Sequence, residues 1–174
     1  MRPRETGLMA RTLIIGYGNR FRSDDGLGIH AAGELSRVLP AGDAEVLALH
    51  QLTPELAETI SHAELILLID AGRQGRPGHI RCTPVSSHRS EAPFTHQLTP
   101  EILLFLCWEL YGIRPQAFEI SVCGECFDLG EELSPSVAQA LPVLVDFVRN
   151  IAAESAASIG TGPVLPVEIA RQPS

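Results

Sequence analysis

Three side chains that together could hold a metal ion stand far apart in this sequence. Asp25 follows the glycine-containing turn Gly16-Tyr17-Gly18-Asn19, and Asp70 ends an apolar run. His96 lies in a polar connection that precedes a predicted helix. Ligands bind at the carboxyl ends of the strands in an open parallel sheet, and we expect these residues at that edge. Two carboxylates and one imidazole suit a borderline divalent cation and leave coordination positions open for water or a guest ligand.

Each of these residues also has a structural interpretation. Asp24 and Asp25 stand where a helix is predicted to begin, so one of them is expected to cap that helix and favour its dipole. Asp70 could instead accept N–H bonds from its own loop. The histidine has a rival, because the hexapeptide at 96–101 is identical to the one that begins at His50. Position alone leaves these alternatives open.

Two further motifs are incomplete. The glycine turn lacks the third glycine of a dinucleotide fingerprint, since Phe21 stands there, and His50 replaces the acidic residue expected after the second strand. An oxidoreductase that binds NAD is therefore weakly supported. Cys123 and Cys126 have the spacing of a redox or zinc motif, but the second pair that a structural zinc site needs is missing. We expect both to be packing residues.

The composition disfavours nucleic acid and anionic membranes as partners. Of 174 residues, 13 are Lys or Arg and 21 are Asp or Glu, and the resulting net charge of −8 repels nucleic acid and anionic lipid. No apolar run reaches the roughly 18–20 residues of a membrane helix. Four cysteines are too few for a disulfide scaffold in a chain of this length. We expect a cytoplasmic monomer with no nucleic-acid or membrane partner.

Short apolar strands alternate with helical segments along the chain, and these elements must position the candidate residues. The predicted strands are Thr12 to Gly16, Ala44 to Leu49, Leu65 to Asp70, His79 to Thr83 and Phe118 to Val122. The predicted helices are Asp25 to Val38, Pro54 to Ser61, Pro100 to Tyr111 and Pro135 to Asn150. This alternation predicts a three-layer α/β fold, in which a mainly parallel twisted sheet of about five strands lies between helices.

Local signals divide the chain further. Three helices are expected to begin at a hydroxyl N-cap followed by proline: Thr53-Pro54, Thr99-Pro100 and Ser134-Pro135. After residue 150 the composition shifts to Ala, Ser, Gly and Pro. We therefore predict a loose N-terminal segment at 1–10, a single α/β domain at 11–150 and a flexible tail at 151–174.

The motifs also occur in a recognisable order. They are Ile15-Gly16-Tyr17-Gly18-Asn19, Asp24-Asp25-Gly26-Leu27-Gly28, Ile69-Asp70-Ala71-Gly72, Thr95-His96-Gln97-Leu98 and the stretch from Val122 to Pro135. This ordered set resembles the hydrogenase maturation endopeptidases, which trim the C-terminal extension from the large subunit of nickel-containing hydrogenases. The resemblance extends roughly from Thr12 to Val148.

The resemblance implies that the domain is an endopeptidase acting on a nickel-loaded hydrogenase large-subunit precursor. Asp25, Asp70 and His96 match the metal-binding and catalytic positions of that family, in which some members have glutamate at the first position. The nickel would be carried by the substrate, and another divalent cation could take the same site. The metal would polarise the scissile carbonyl or activate water, and Asp24 or Asp25 is the nearest candidate for a general base. A non-catalytic chaperone or binding module for the same precursor is the alternative.

Overall fold

The computed structural model describes residues 12–87 and 98–157 and the backbone of residues 168–169. Its strands are β1 (Thr12–Tyr17), β2 (Glu45–Leu49), β3 (Leu65–Gly72), β4 (Ile80–Pro84), β5 (Gln116–Cys123) and β6 (Glu168–Ile169). They form one sheet in the order β2-β1-β3-β5-β4-β6. The first three strands and β5 are parallel, whereas β4 is antiparallel to both β5 and β6. All five predicted strands are present, and β6 adds a short edge strand.

Helices cover both faces of this sheet. They are α1 (Leu27–Val38), α2 (Leu56–Ile60), α3 (Pro100–Tyr111) and α4 (Pro135–Ala157), and one turn of 3₁₀ helix at Ser23–Gly26 precedes α1. The buried residues of α1 and α4 share one apolar cluster, and those of α2 and α3 share the other. The three-layer α/β fold predicted from the sequence is therefore confirmed.

Strand β3 lies in the middle of the sheet and is buried on both sides. Leu67 and Ile69 belong to the cluster under α1 and α4, whereas Ile66 and Leu68 belong to the cluster under α2 and α3. Successive side chains of a strand point to opposite faces, so Asp70 continues the row that faces α2 and α3. The apolar run predicted a central parallel strand, and the structure confirms it.

Two of the three predicted helix starts are confirmed. Helix α3 begins at Pro100, and Thr99 Oγ1 accepts a 3.5 Å bond from the Ile102 N–H. Helix α4 begins at Pro135. The prediction for α2 is wrong, because this helix begins at Leu56 without a side-chain cap, and the Leu56 N–H donates to the Thr53 carbonyl instead. An i→i+3 turn thus precedes α2, although the same hexapeptide leads directly into α3.

The predicted end of α4 at Asn150 is also wrong, because the helix continues to Ala157. Ile151, Ala152 and Ser155 are buried, so the apolar stripe extends over the last turns. The Thr12 hydroxyl at the start of β1 donates a 3.0 Å bond to the Ser155 hydroxyl. The alanines that suggested a tail are good helix formers, and packing on the sheet keeps them helical. The tail predicted from residue 151 therefore begins within a helix, while the segment 1–10 lies outside the described residues.

Candidate functional site

Glycines at the end of β1 and in α1 let the backbones of these two elements pack directly against each other at the edge of the sheet. A Cβ atom on Gly16 would overlap the Gly28 carbonyl oxygen, and one on Gly28 would overlap the backbone of Tyr17. Gly18 has φ +137°, and a Cβ there would overlap the carbonyl oxygen of Asp25. The glycines are thus required because they let the 3₁₀ turn and the start of α1 sit on the carboxyl end of β1.

The two adjacent aspartates of the 3₁₀ turn have different roles. Asp24 is fully buried, and its carboxylate accepts bonds from the N–H groups of Glu125 at 2.7 Å, Cys126 at 2.8 Å and Ser134 at 2.7 Å. Burial alone would raise the pKa of Asp24, but the N–H bonds outweigh it and lower the pKa below its ordinary value. Asp24 is therefore a structural anion that ties this turn to the loop after β5.

Asp25 is the member of the pair that remains near the edge of the sheet. It is half-buried, and its Oδ2 accepts a 3.0 Å bond from the Asn19 N–H. A Cβ on Gly18 would lie 3.9 Å from Asp70 Oδ1 and would overlap the carbonyl oxygen of Asp25, so the side chain of Asp70 and the main chain of Asp25 both lie beside this glycine. The charge of Asp25 also contributes to raising the pKa of Asp70. The structure therefore brings Asp25 and Asp70 to one place.

The pKa of the Asp70 carboxyl group is strongly raised by its surroundings. Its pKa is raised to about 7, mainly by burial and further by the negative charges of Glu119 and Asp25, while bonds from the Ala71 N–H and the Tyr17 hydroxyl partly offset the rise. The bond from the Ala71 N–H to Asp70 Oδ1 is 2.6 Å long. Asp70 thus lies in a site where repulsion between carboxylates favours a bound proton or cation.

Sequence reasoning missed two residues of this site, Tyr17 and Glu119. Glu119 pairs with Leu68 of β3, two residues before the partner of Asp70, so both carboxylates belong to the same face of the sheet. Burial and then the charge of Glu101 raise the pKa of Glu119, and burial with Asp70 and Glu119 raises that of Tyr17. The only available signal was a lone acidic residue inside the apolar strand from Phe118 to Val122.

The predicted third ligand, His96, lies outside the described residues. Helix α3 begins shortly after it, and Glu101 in the first turn of α3 raises the pKa of both Glu119 and Tyr17. The first turn of α3 therefore lies near the carboxylate of Glu119 and the hydroxyl of Tyr17. His50, the rival candidate, is exposed in the bend after β2. Within residues 12–87 and 98–157, no group of three or more His, Cys, Asp or Glu side chains could hold a metal ion.

Cys123, the last residue of β5, and Cys126, in the loop that follows, do not form a disulfide. Both thiols are free, with Cys123 buried and Cys126 partly exposed. Cys126 contributes its backbone to the site, since its N–H and carbonyl bond the carboxylate and the N–H of Asp24. The prediction of a packing role agrees with the burial of Cys123.

Three solved structures have a similar fold. The NiFe hydrogenase maturation protease HycI from Thermococcus kodakarensis KOD1 has a TM-score of 0.69 and 23% identity, covering 83% of this chain and 93% of that one. The hydrogenase maturating endopeptidase HybD from E. coli has a TM-score of 0.68 and 22% identity, with coverage of 83% and 93%. The hydrogenase 2 maturation peptidase from Thaumarchaeota archaeon SCGC_AB-539-E09 has a TM-score of 0.64 and 23% identity, with coverage of 82% and 98%.

These similarities establish a common three-layer α/β fold at low sequence identity. No protein-family model matches the chain, and no curated protein matches its sequence. Among the helices of the described residues, none has both the length and the apolar character that crossing a membrane requires.

Proposed function

We propose that this chain is a hydrogenase maturation endopeptidase, which removes the C-terminal extension of a nickel-loaded large-subunit precursor. One observation carries the proposal: Asp25 and Asp70, which the ordered motifs match to the metal positions of that family, are near neighbours at one sheet edge. The main chain of Asp25 and the carboxylate of Asp70 both lie beside Gly18, and the charge of Asp25 contributes to raising the pKa of Asp70. The similar fold of proteins described as hydrogenase maturation proteases supports it.

The nickel belongs to the substrate in this proposal. Asp25 and Asp70 supply two carboxylate ligands, and His96 is assigned as the third. The donor set fits a cation, because Asp70 is held among the negative charges of Asp25 and Glu119, and a positive ion would relieve that repulsion. Another divalent cation would bind the same side chains. A partial protein ligand set leaves the remaining coordination positions to the groups that already hold the metal in the precursor.

The residues of the chain orient the substrate through this shared ion. When bound, the metal polarises the scissile carbonyl or activates water. The N–H of Ala71 fixes one oxygen of Asp70, and the hydroxyl of Tyr17 lies beside the carboxylates of Asp70 and Glu119. Because the pKa of Tyr17 is raised, its hydroxyl stays protonated at neutral pH and donates to a carboxylate. Asp24 is excluded as the general base, because its carboxylate is occupied by backbone N–H groups.

The decisive experiment incubates the purified protein with nickel-loaded and with nickel-free precursor and measures intact masses. We expect shortening of the nickel-loaded precursor only. Asp25→Asn, Asp70→Asn and His96→Ala should each abolish cleavage while retaining the circular dichroism spectrum of the parent. Cleavage at the parental rate by all three variants would contradict the site.

The same experiment separates the chaperone alternative. A non-catalytic binding module would form a complex with the nickel-loaded precursor and leave its mass unchanged. That outcome, with binding lost in the Asp25 and Asp70 variants, would keep the site and overturn the endopeptidase activity.

A further inference from the structure

A cavity of about 290 Å³ opens beside the proposed catalytic edge. It is lined by residues of the segment after β3, by β4 and by the end of β5, among them Arg73, Arg81, Ser121 and Cys123. Its volume corresponds to about ten water molecules, which is enough for one amino-acid side chain. None of the described residues that line it is acidic, although the chain as a whole carries a net charge of −8.

The sheet register places this cavity next to Asp70. Ser121 of β5 pairs with Asp70 of β3 on one side and with Arg81 of β4 on the other. Directly opposed residues of neighbouring strands point to the same face, so these three side chains form one row across the sheet. Neighbouring strands lie about 4.8 Å apart, which puts the β4 end of the row about 10 Å from Asp70.

Two guanidinium groups give the cavity its charge. Arg73 is stacked on the ring of Phe127, with its Cζ 4.0 Å from the ring centroid. Stacking occupies the flat face of a guanidinium and leaves its N–H edges for a planar acceptor such as a carboxylate. Arg81 Nη2 lies 3.7 Å from the position that a Cβ on Gly75 would take, so it reaches back over the loop. Within the described part of the chain, neither arginine forms a salt bridge with an acidic side chain.

We propose that this cavity is a specificity subsite that binds an acidic side chain of the peptide substrate, held by Arg73 and Arg81 with the Ser121 hydroxyl as a further donor. The inference rests on the proposed endopeptidase function. An extended peptide advances about 3.3 Å per residue, so the distance from Asp70 to the β4 end of the row corresponds to about three residues. The acidic residue therefore lies about three positions from the cleaved bond.

The two neighbouring sites carry opposite charge, and this difference would favour one alignment of the substrate. The carboxylates of Asp25 and Asp70 attract a cation and repel an acidic peptide, whereas Arg73 directly after β3 and Arg81 two strands from Asp70 do the reverse. A substrate with a metal centre and an acidic residue at the matching spacing can place the metal at the carboxylates and the acidic side chain in the cavity in only one alignment. The cavity would thus help to select which peptide bond is presented.

A binding experiment without precursor tests the subsite by itself. The probe is N-acetyl-glutamate amide, followed by the backbone amide NMR signals of Gly72, Arg73, Ser121 and Cys123. We expect saturable shifts with this probe and none with N-acetyl-glutamine amide. Binding should weaken about tenfold or more in Arg73→Gln and Arg81→Gln, since each variant loses a charge-assisted hydrogen bond. The matched control is Arg76→Gln, because Arg76 is an exposed arginine of the same loop that does not line the cavity.

Inorganic phosphate in the same titration distinguishes a free anion from a peptide carboxylate. Tighter binding of phosphate than of the glutamate probe, with the same dependence on Arg73 and Arg81, would overturn the peptide assignment. Equal binding of the probe by the Arg73 and Arg76 variants would overturn the subsite.

A second arm uses the precursor. In a series of precursor variants, each acidic residue within about five positions of the cleaved bond is replaced singly by its amide. One of these variants should have a KM about tenfold higher than the parent precursor. The Arg73→Gln enzyme should have the same KM for that variant and for the parent precursor. An unchanged KM for every neutralised precursor would reject the subsite in catalysis. If no precursor is cleaved under any condition, the endopeptidase proposal fails, whereas the NMR result still reports separately on the cavity.

Discussion

Asp24 and Ser134 are 110 residues apart in the chain, yet Asp24 Oδ1 accepts a 2.7 Å hydrogen bond from the Ser134 N–H. The other oxygen of the same carboxylate holds the N–H groups of Glu125 and Cys126. One buried anion thereby fixes the loop after β5 and the start of α4 against the turn that carries Asp25. Because Asp24 and not Asp25 makes these contacts, we expect substitutions of the two aspartates to differ in their effect on stability.

Asp24→Asn should destabilise the fold, whereas Asp25→Asn should not. A carboxamide has one acceptor oxygen, so at least one of the three N–H groups now bonded to the buried carboxylate of Asp24 loses its partner, and the charge that strengthens the others is lost. We expect a loss of about 2–4 kcal/mol in the free energy of unfolding for Asp24→Asn and less than about 1 kcal/mol for Asp25→Asn. Urea denaturation measures both, and equal losses would contradict the assignment of roles.

The stability of the metal-free protein should fall as pH rises through the range in which Asp70 titrates. Its pKa is about 7 in the folded chain and 3.8 in its ordinary state, so the folded state retains a proton that the unfolded state has released. The fold is therefore favoured below about pH 4, and this contribution is lost progressively up to about pH 7.

Asp70→Asn removes this titration while keeping an acceptor for the Ala71 N–H. In the presence of a chelator, the variant should match the parent near pH 4 and exceed it at pH 8 by roughly 2–4 kcal/mol, discounted for partial solvent access. Thermal unfolding at several pH values measures the difference. A difference that does not change with pH would show that burial does not hold the proton on Asp70.

Gly28→Ala and Gly33→Ala should have opposite effects although both residues lie in α1. A Cβ at Gly28 would overlap the backbone of Tyr17 and lie 2.5 Å from the Ile69 carbonyl oxygen, whereas a Cβ at Gly33 meets nothing within 4 Å. We expect Gly28→Ala to cost at least about 2 kcal/mol. Gly33→Ala should stabilise the helix by roughly 0.5–1 kcal/mol, because alanine is the better helix former. Similar unfolding midpoints for the two variants would be inconsistent with the close contact between α1 and the sheet.

Tyr17→Phe should slow precursor processing without unfolding the chain. The variant removes the hydroxyl beside Asp70 and Glu119 but keeps the ring that packs on the cluster under α2 and α3. Groups that orient a metal ligand in this way typically contribute 10–100-fold, and we expect kcat to fall about tenfold. Tyr111→Phe is the control, because Tyr111 is exposed at the end of α3. Initial rates on nickel-loaded precursor measure both, and equal rates would remove Tyr17 from the site.

The sequence predicted most of the architecture, because apolar runs and helical periods are local signals. The run from Leu65 indicated a central strand, and Thr99 followed by Pro100 indicated a helix start. The same Thr-Pro pair at Thr53 gave a wrong start for α2, because the backbone there first forms an i→i+3 turn. The end of α4 was missed because burial of Ser155 depends on a contact with β1.

The candidate site was predicted less completely, for reasons that are not local. Which of Asp24 and Asp25 is structural depends on N–H groups more than 100 residues away. Glu119 belongs to the site because the register of β5 on β3 brings it near Asp70. Asp25 and Asp70 lie near each other at one edge of the sheet, whereas their role as metal ligands, like that of His96, stays a prediction.

The close approach of the Gly16 and Gly28 backbones restricts how far the nearby main chain that bears Asp25 can move away from the sheet. With the main chain held in this way, the length of the side chain at position 25 becomes a direct means of changing how far a carboxylate reaches from the turn. In the proposed metal site, exchanging Asp25 for glutamate would extend the carboxylate by one methylene group and so change the size of ion that the site accepts.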